Sequence, residues 1–245
     1  MRFTVNVIGQ VPKDKLAPDT IEDHYDFNTD KETVVISDGA SESYDSKTLA
    51  KIICKKYIKS HIVNLDWVGE VISEFSSKID IASLSWSKEA AYERGSFATL
   101  LAIKKQRNHN RINILGIGDS IAILIDENRI INTFPYNHSE EFRQHPQLIS
   151  TNPDQNGFIG VTDFSKIHKR QWELSNLKEP IILCMTDSLG EWVLRNQEIG
   201  DLRWMELLHL TTQSELTVLV DSEWEKKEMR KDDITLVKIT FSDEV

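Results

Sequence analysis

Cysteine is scarce in this chain. Its 245 residues include two, Cys54 and Cys184. Two thiols in this length make no disulfide framework, and they lack the paired spacing of a metal site. Both are expected as reduced core residues, Cys54 on a helix and Cys184 in a strand. Long apolar runs are missing too. No stretch approaches the roughly 20 residues that span a bilayer. The opening MRFTVNVIGQ lacks the basic-then-apolar layout of a signal peptide. The expected compartment is the cytoplasm, with no membrane partner. Positive charge is in deficit: 29 Lys+Arg face 39 Asp+Glu, a formal net charge of -10. A duplex nucleic-acid binder normally presents a basic face, so this balance argues against a nucleic-acid partner.

Several motifs that carry chemistry are also missing. Gly116-Ile117-Gly118 lacks a third glycine and runs from strand to strand, so it is not a dinucleotide loop. There is no GxxxxGK[ST] phosphate loop. Ser120 follows Gly118-Asp119 without a G-x-S-x-G elbow. The seven histidines are scattered, with no HExxH pair.

What is present is the balance of a soluble globular protein, 40% hydrophobic and 28% charged, long enough for a sizeable core. Arg2 to Ile8 alternates as a strand with one buried face. TVVIS (Thr33 to Ser37) is a β-branched strand ending at Asp38-Gly39. Asp45 or Ser46 can cap a helix with Leu49, Ile52, Ile53 and Tyr57 on one face. A second amphipathic helix carries Val68, Val71, Ile72, Phe75 and Ile79, and Trp86 to Tyr92 can add a helical turn. SFATLLAI, RINILGIG and SIAILID then read as consecutive strands, with a turn at Asp126 to Arg129 before another. Pro135 to Gly157 reads as a polar excursion. FIGVTDF, RQWELSN and PIILCMT read as strands. Helical stretches follow near Glu191 to Leu210 and Ser214 to Met229, and ITLVKITF is the last strand. Runs of strands with helices clustered between them favour an α+β architecture over a doubly wound sheet. One domain over residues 1–245 is the simplest organisation.

The chemistry that remains is carboxylate. Glu22-Asp23 precedes the second strand, Asp38-Gly39 follows TVVIS, Asp119 separates two apolar strands, Asp187 follows IILCMT, and Asp232-Asp233 opens the last strand. Any one of them alone reads most simply as a turn or cap residue. Together, at the ends of buried strands, they can converge on one edge of the fold. Carboxylate oxygens are the donors that Mg²⁺ and Mn²⁺ prefer, and a glycine after a ligand allows close backbone approach.

In order and context these segments resemble the metal-dependent Ser/Thr protein phosphatases of the type 2C class, in particular its divergent bacterial branch. The resemblance runs nearly end to end. It rests on Glu22-Asp23, VVISDGAS (Val34 to Ser41), RGSFATLLAI (Arg94 to Ile103), ILGIGDSIAIL (Ile114 to Leu124), IILCMTDSLGEWVL (Ile181 to Leu194) and DDITLVKI (Asp232 to Ile239). It implies a four-layer αββα sandwich, two antiparallel sheets flanked by helices. It implies two Mn²⁺ or Mg²⁺ ions bridged by Asp38, the central catalytic residue. Glu22 and the Gly39 carbonyl would hold one ion, and Asp187 and Asp232 the other. Asp119, with Asp187, matches a third, weaker site. The implied reaction is hydrolysis of phosphoserine or phosphothreonine in a protein by metal-activated water. The implied partners are a phosphoprotein substrate and a cognate Ser/Thr kinase or its target, with the chain itself a monomer.

The sequence departs from that pattern in places. The phosphate-gripping arginine four residues before the Glu is Pro18, so the phosphate must be bound elsewhere; Arg94 is a candidate for which a surface role is the simpler account. The position after Asp-Gly is Ala40 rather than His, and His24 is the alternative proton donor, with an ordinary exposed histidine as the plainer reading. Ser188 replaces a glycine. Asp233 replaces an asparagine, which leaves Asp232 and Asp233 as alternative ligands, Asp232 favoured by alignment. A pseudophosphatase that binds phosphoproteins without turnover is the competing function. A metal nuclease would use the same carboxylates but lacks a basic stripe.

Overall fold

Strands that are apolar on both faces need cover on both sides, and the fold supplies it with four layers. The structure, a computed structural model, describes residues 1–107 and 109–242. The strands are β1 (Arg2–Val11), β2 (His24–Asn28), β3 (Thr33–Ser37), β4 (Phe97–Ala98), β5 (Leu100–Lys105), β6 (Arg111–Ile117), β7 (Ile121–Asp126), β8 (Arg129–Phe134), β9 (Ile149–Ser150), β10 (Lys169–Glu173), β11 (Ile181–Met185) and β12 (Ile234–Ser242). The helices are α1 (Ser46–Ser60), α2 (Leu65–Ser76), α3 (Trp86–Arg94), α4 (Phe164–His168), α5 (Asp187–Glu198), α6 (Glu206–His209) and α7 (Gln213–Glu225). One antiparallel sheet has the order β1-β12-β11-β7-β8 and the other β10-β6-β5-β3-β2, with β4 and β9 forming a short ribbon.

Alternation along each strand divides the side chains between layers. Val34, Ile36, Leu101, Ile103, Ala122, Leu124, Ile182, Cys184, Val237 and Ile239 fill the space between the sheets. Val35, Leu100 and Ala102 point outward under Leu49, Ile53, Val68, Val71 and Phe75 of α1 and α2. Ile121, Ile123, Leu183 and Leu236 point outward under Leu189, Trp192, Val193, Leu216 and Val220 of α5 and α7. The expected αββα sandwich is therefore the architecture. Both cysteines are free and buried, in α1 and β11.

Local signals account for several boundaries. Asp45 caps α1, its side chain accepting from Thr48 N–H at 3.3 Å. Glu127 and Asn128 both take positive φ in the hairpin that pairs Asp126 with Arg129. Two expectations need correction, and one strand is additional. FIGVTDF is no strand: Asn156 donates to the carbonyls of Ser150 and Asn152, folding the segment into a 3-10 turn (Pro153–Gly160) before α4. Its Phe158, Ile159 and Phe164 pack on the outer face instead. The helix expected over 191–210 is broken at Gly200, which has φ +74°. It resumes as a 3-10 turn and α6. Finally, HYDFN forms β2 on the sheet edge, where its half-exposed residues give no clear alternation. No helix among the described residues is long and apolar enough to cross a membrane.

Candidate metal centre

Antiparallel neighbours leave a sheet where the next strand enters it, so several strand ends fall at one end of the sandwich. Asp38 follows β3, Asp119 lies in the turn from β6 to β7, Asp187 begins α5, and Asp232-Asp233 precedes β12. Glu22-Asp23 precedes β2. Thr99 ties two of these ends together. Its hydroxyl accepts from Asp38 N–H at 2.8 Å and lies 2.7 Å from Ser120 Oγ, and its own N–H donates to the Asp38 carbonyl at 2.8 Å. Two glycines are required at this junction. A Cβ on Gly39 would lie 2.8 Å from Ser46 Cβ at the start of α1. Gly118, at φ +97°, would put one 2.6 Å from Thr99 Cγ2.

The Glu22-Asp23 pair is held by a web of hydrogen bonds. Glu22 accepts from Ser41 Oγ (2.5 Å), Ser46 Oγ (2.6 Å) and Lys13 Nζ (2.8 Å). Burial would raise its pKa, but these donors outweigh burial and hold it below the usual value. Asp23 is 3% exposed. Its Oδ2 accepts from Thr235 Oγ1 at 2.7 Å, while its Oδ1 is buried with no donor. The Asp38 carboxyl is near enough for the two acids to repel each other. Asp233 does a different job: Oδ1 accepts from Lys13 N–H (2.8 Å) and Oδ2 from Glu22 N–H (2.9 Å). Both its oxygens are spent on backbone, whereas Asp232 stands a third exposed at the rim.

These carboxylates repel one another. Burial first, then Asp23, Asp187, Asp119 and Asp232, push the Asp38 pKa well above the ordinary value. Burial, with Asp233 and Asp187, pushes Asp23 up to about 8 despite the Thr235 hydrogen bond. Burial and Asp187 push Asp119 up to about 7. Two cations offset part of this. Lys13 Nζ reaches Glu22 at 2.8 Å, Asp232 at 3.5 Å and Asp233 at 3.8 Å. The Arg230 guanidinium bonds Asp187 and lies 3.5 Å from Asp232.

Among the described residues, no three His, Cys, Asp or Glu side chains are arranged to hold a metal ion. The reason is visible in the pairing: Glu22, Asp187 and Asp232 turn toward Lys13 and Arg230. The donor set nonetheless suits a divalent cation. It is all oxygen, it contains an unpartnered buried atom in Asp23 Oδ1, and its mutual repulsion is what a dication relieves.

The structure thus brings Glu22, Asp38, Gly39, Asp119, Asp187 and Asp232 to one place. His24 is elsewhere: its charged neighbours are Lys51, Asp26, Lys55 and Lys47, because it points opposite to Asp23 along the chain. Arg94 is exposed at the end of α3. Sequence reasoning missed Lys13, Arg230 and the burial of Asp23. Asp23 was visible as half of an acidic pair, and Arg230 stands two residues before Asp232; Lys13 gave no signal in its polar stretch.

No family model and no curated protein matches the sequence. Solved structures do match. The serine/threonine phosphatase Stp1 from Staphylococcus aureus superposes with TM-score 0.58 at 13% identity, over 99% of this chain and 96% of its own. The catalytic domain of the serine/threonine protein phosphatase PstP in complex with 2 manganese ions gives TM-score 0.56 at 15% identity, over 99% of this chain and 98% of that one. This chain has the type 2C phosphatase fold. The photosystem II phosphatase PBCP matches likewise, with TM-score 0.57, 13% identity and coverage of 98% and 99%. Within the type 2C fold this chain keeps its own details. Pro18 is exposed in a 3-10 turn. Ser188 donates to the Arg230 carbonyl at 2.5 Å, anchoring the segment that carries the guanidinium.

Proposed function

We propose that the chain hydrolyses phosphoserine and phosphothreonine in proteins, using divalent Mn²⁺ or Mg²⁺ ions held by Glu22, Asp38, the Gly39 carbonyl, Asp187 and Asp232, with Asp119 at a weaker third position. The observation that carries this is the convergence of Asp38, Asp119, Asp187 and Asp232 into one mutually repelling group, on a fold shared with protein phosphatases. Bound dications would offset the charge of a dianionic phosphoester and make water acidic enough to attack near neutral pH.

The chain's own residues contribute positioning. Asp38 is fixed through both its backbone groups by Thr99. Glu22 is fixed by Ser41 and Ser46. Asp233 holds the backbones of Lys13 and Glu22 together, which leaves Asp232 as the ligand of the two. Arg230, 56% exposed at the rim, supplies the planar cation that binds phosphate, in place of the arginine absent at Pro18. The substrate would be a phosphoprotein in a cytoplasmic signalling pathway, the target of a Ser/Thr kinase.

The test is turnover of p-nitrophenyl phosphate and of phosphoserine, phosphothreonine and phosphotyrosine peptides with Mn²⁺. Absence of Mn²⁺-dependent turnover in folded protein would sink the enzyme reading. One observation favours a second reading, a phosphoprotein-binding module without turnover: Lys13 and Arg230 already neutralise carboxylates that metal would need. Phosphopeptide binding that is indifferent to Mn²⁺, with no hydrolysis, would select it.

A further inference from the structure

A cavity of about 820 Å³ opens at the far end of the β10-β6-β5-β3-β2 sheet, between the C-terminal end of α1 and strand β10. Its cations are Lys31, Lys104, Lys105, Arg107, Lys169 and Arg170. Lys104 lies opposite Thr33, the residue that begins β3, whereas Asp38 follows its last residue. At about 3.3 Å per residue, Lys104's end of the pocket and Asp38 are roughly 17 Å apart along that strand.

A few surface lysines need no ligand, since water solvates them. Three features set this group apart. First, the salt bridge from Lys105 to Glu32 (2.9 Å) is the single carboxylate contact of the lining among the described residues, in a chain of 39 Asp+Glu and 29 Lys+Arg. Second, the cations crowd each other. Burial, then Lys31 and Arg107, hold the Lys104 ammonium below its usual pKa, and burial, Lys104 and Lys31 do the same to His61. Third, they line a concave surface, where like charges focus their potential. Lys31 is held in place, donating to the carbonyls of Ile58 and Lys59 at 3.3 Å. The Arg170 guanidinium instead lies over the Phe134 ring, 5.0 Å from its centroid, on the opposite face of β10 from Lys169. One wall is apolar, with Ile62 57% exposed beside the edge-to-face pair of Tyr57 and His61, whose ring centroids are 5.9 Å apart.

We propose that this pocket binds a small ligand bearing a polyphosphate chain, a nucleoside polyphosphate. The phosphates would lie on Lys104 and Lys169, which share the outer face of the sheet, and the base against Ile62 and His61. The volume falls within the range of small-molecule sites, roughly 300–1,000 Å³. The inference is independent of what the carboxylates at the other end do.

The test is calorimetric titration of the whole chain in EDTA with ATP, inorganic triphosphate and adenosine. EDTA keeps metal-nucleotide complexes away from the carboxylates. ATP is expected to bind at sub-millimolar concentration and adenosine to give no signal. The double variant Lys104→Glu/Lys169→Glu should weaken ATP binding more than about tenfold, as two phosphate contacts become repulsive. It should leave Mn²⁺-dependent hydrolysis of p-nitrophenyl phosphate as in wild type. Asp38→Asn should bind ATP as wild type does. Lys169→Ala, at an exposed position, repeats the test if the double variant does not fold. Silence with both ATP and triphosphate overturns the proposal, as does ATP binding that survives loss of the lysines or is lost in Asp38→Asn. Triphosphate binding as tightly as ATP overturns the nucleoside part and makes the occupant an inorganic polyphosphate.

Discussion

At one end of the β10-β6-β5-β3-β2 sheet, β3 runs out into Asp38 and β6 into the turn that carries Asp119; at the other, Lys31 leads into β3 and Lys104 and Lys105 finish β5. The same strands therefore carry opposite charge at their two ends. Each end is poorly compensated, but in different ways. The acidic end is buried, and burial, with repulsion added, pushes Asp23 up to about 8 and Asp119 up to about 7. The basic end is more open, and burial with the neighbouring cations holds Lys104 and His61 below their usual pKa. Burial, more than the number of charges, sets how strongly a cluster demands a counterion. A net charge of -10 says nothing about this division.

Experiments can break or sharpen the contrast. The largest effect is expected from Asp38→Asn. Mn²⁺-dependent hydrolysis should fall roughly a thousandfold if Asp38 holds the ions as proposed. The melting temperature in EDTA should hold or rise, because a repelled carboxylate is gone. Wild-type activity in this variant would remove Asp38 from the centre.

The next test uses pH. The folded-state pKa of Asp23, about 8, lies above its ordinary 3.8. Between these values the folded chain keeps a proton that the unfolded chain has released, so stability falls as pH rises across that window. In EDTA the melting temperature should decline from about pH 5 to about pH 8, and Mn²⁺ should restore much of it at pH 8. A flat profile in EDTA would mean that the carboxylates are compensated already.

A smaller, two-sided effect is expected from Arg230→Ala. Removing the guanidinium that pairs with Asp187 and Asp232 should tighten Mn²⁺ binding about threefold, while KM for a phosphopeptide rises about tenfold. Unchanged KM would assign the phosphate to another group. The smallest effect belongs to the basic end. Lys104→Ala should raise stability by less than about 0.5 kcal/mol, since it relieves repulsion from Lys31 and Arg107 near the surface. Denaturant titration would detect a loss instead, which would mean that Lys104 has a partner.

The layered fold was legible because its strands are short apolar runs between turn residues, and because α1 and α2 show clear stripes. β2 was not, since an edge strand with half-exposed residues has no alternation to read. FIGVTDF misled because five aromatic or β-branched residues in seven fit a strand as well as a turn that packs by side chains alone. At the candidate site, the carboxylates were legible through their position after strands. Lys13 was not: a lysine nine residues before Glu22 acquires meaning only when β1 and the approach to β12 bring it beside Asp232 and Asp233. The basic pocket was equally hidden, because its lysines come from three separate segments of an acidic chain.

The hydrogen bonds from Lys13 and Glu22 N–H to Asp233 span 220 and 211 positions. They close beside the pairing of β1 with β12, the first and last strands. Long loops of this kind are slow to form. During synthesis the chain must therefore wait for its final strand before Glu22, Asp38 and Asp232 can meet. A nascent form that stops short of Asp232 and β12 lacks the assembled carboxylate cluster.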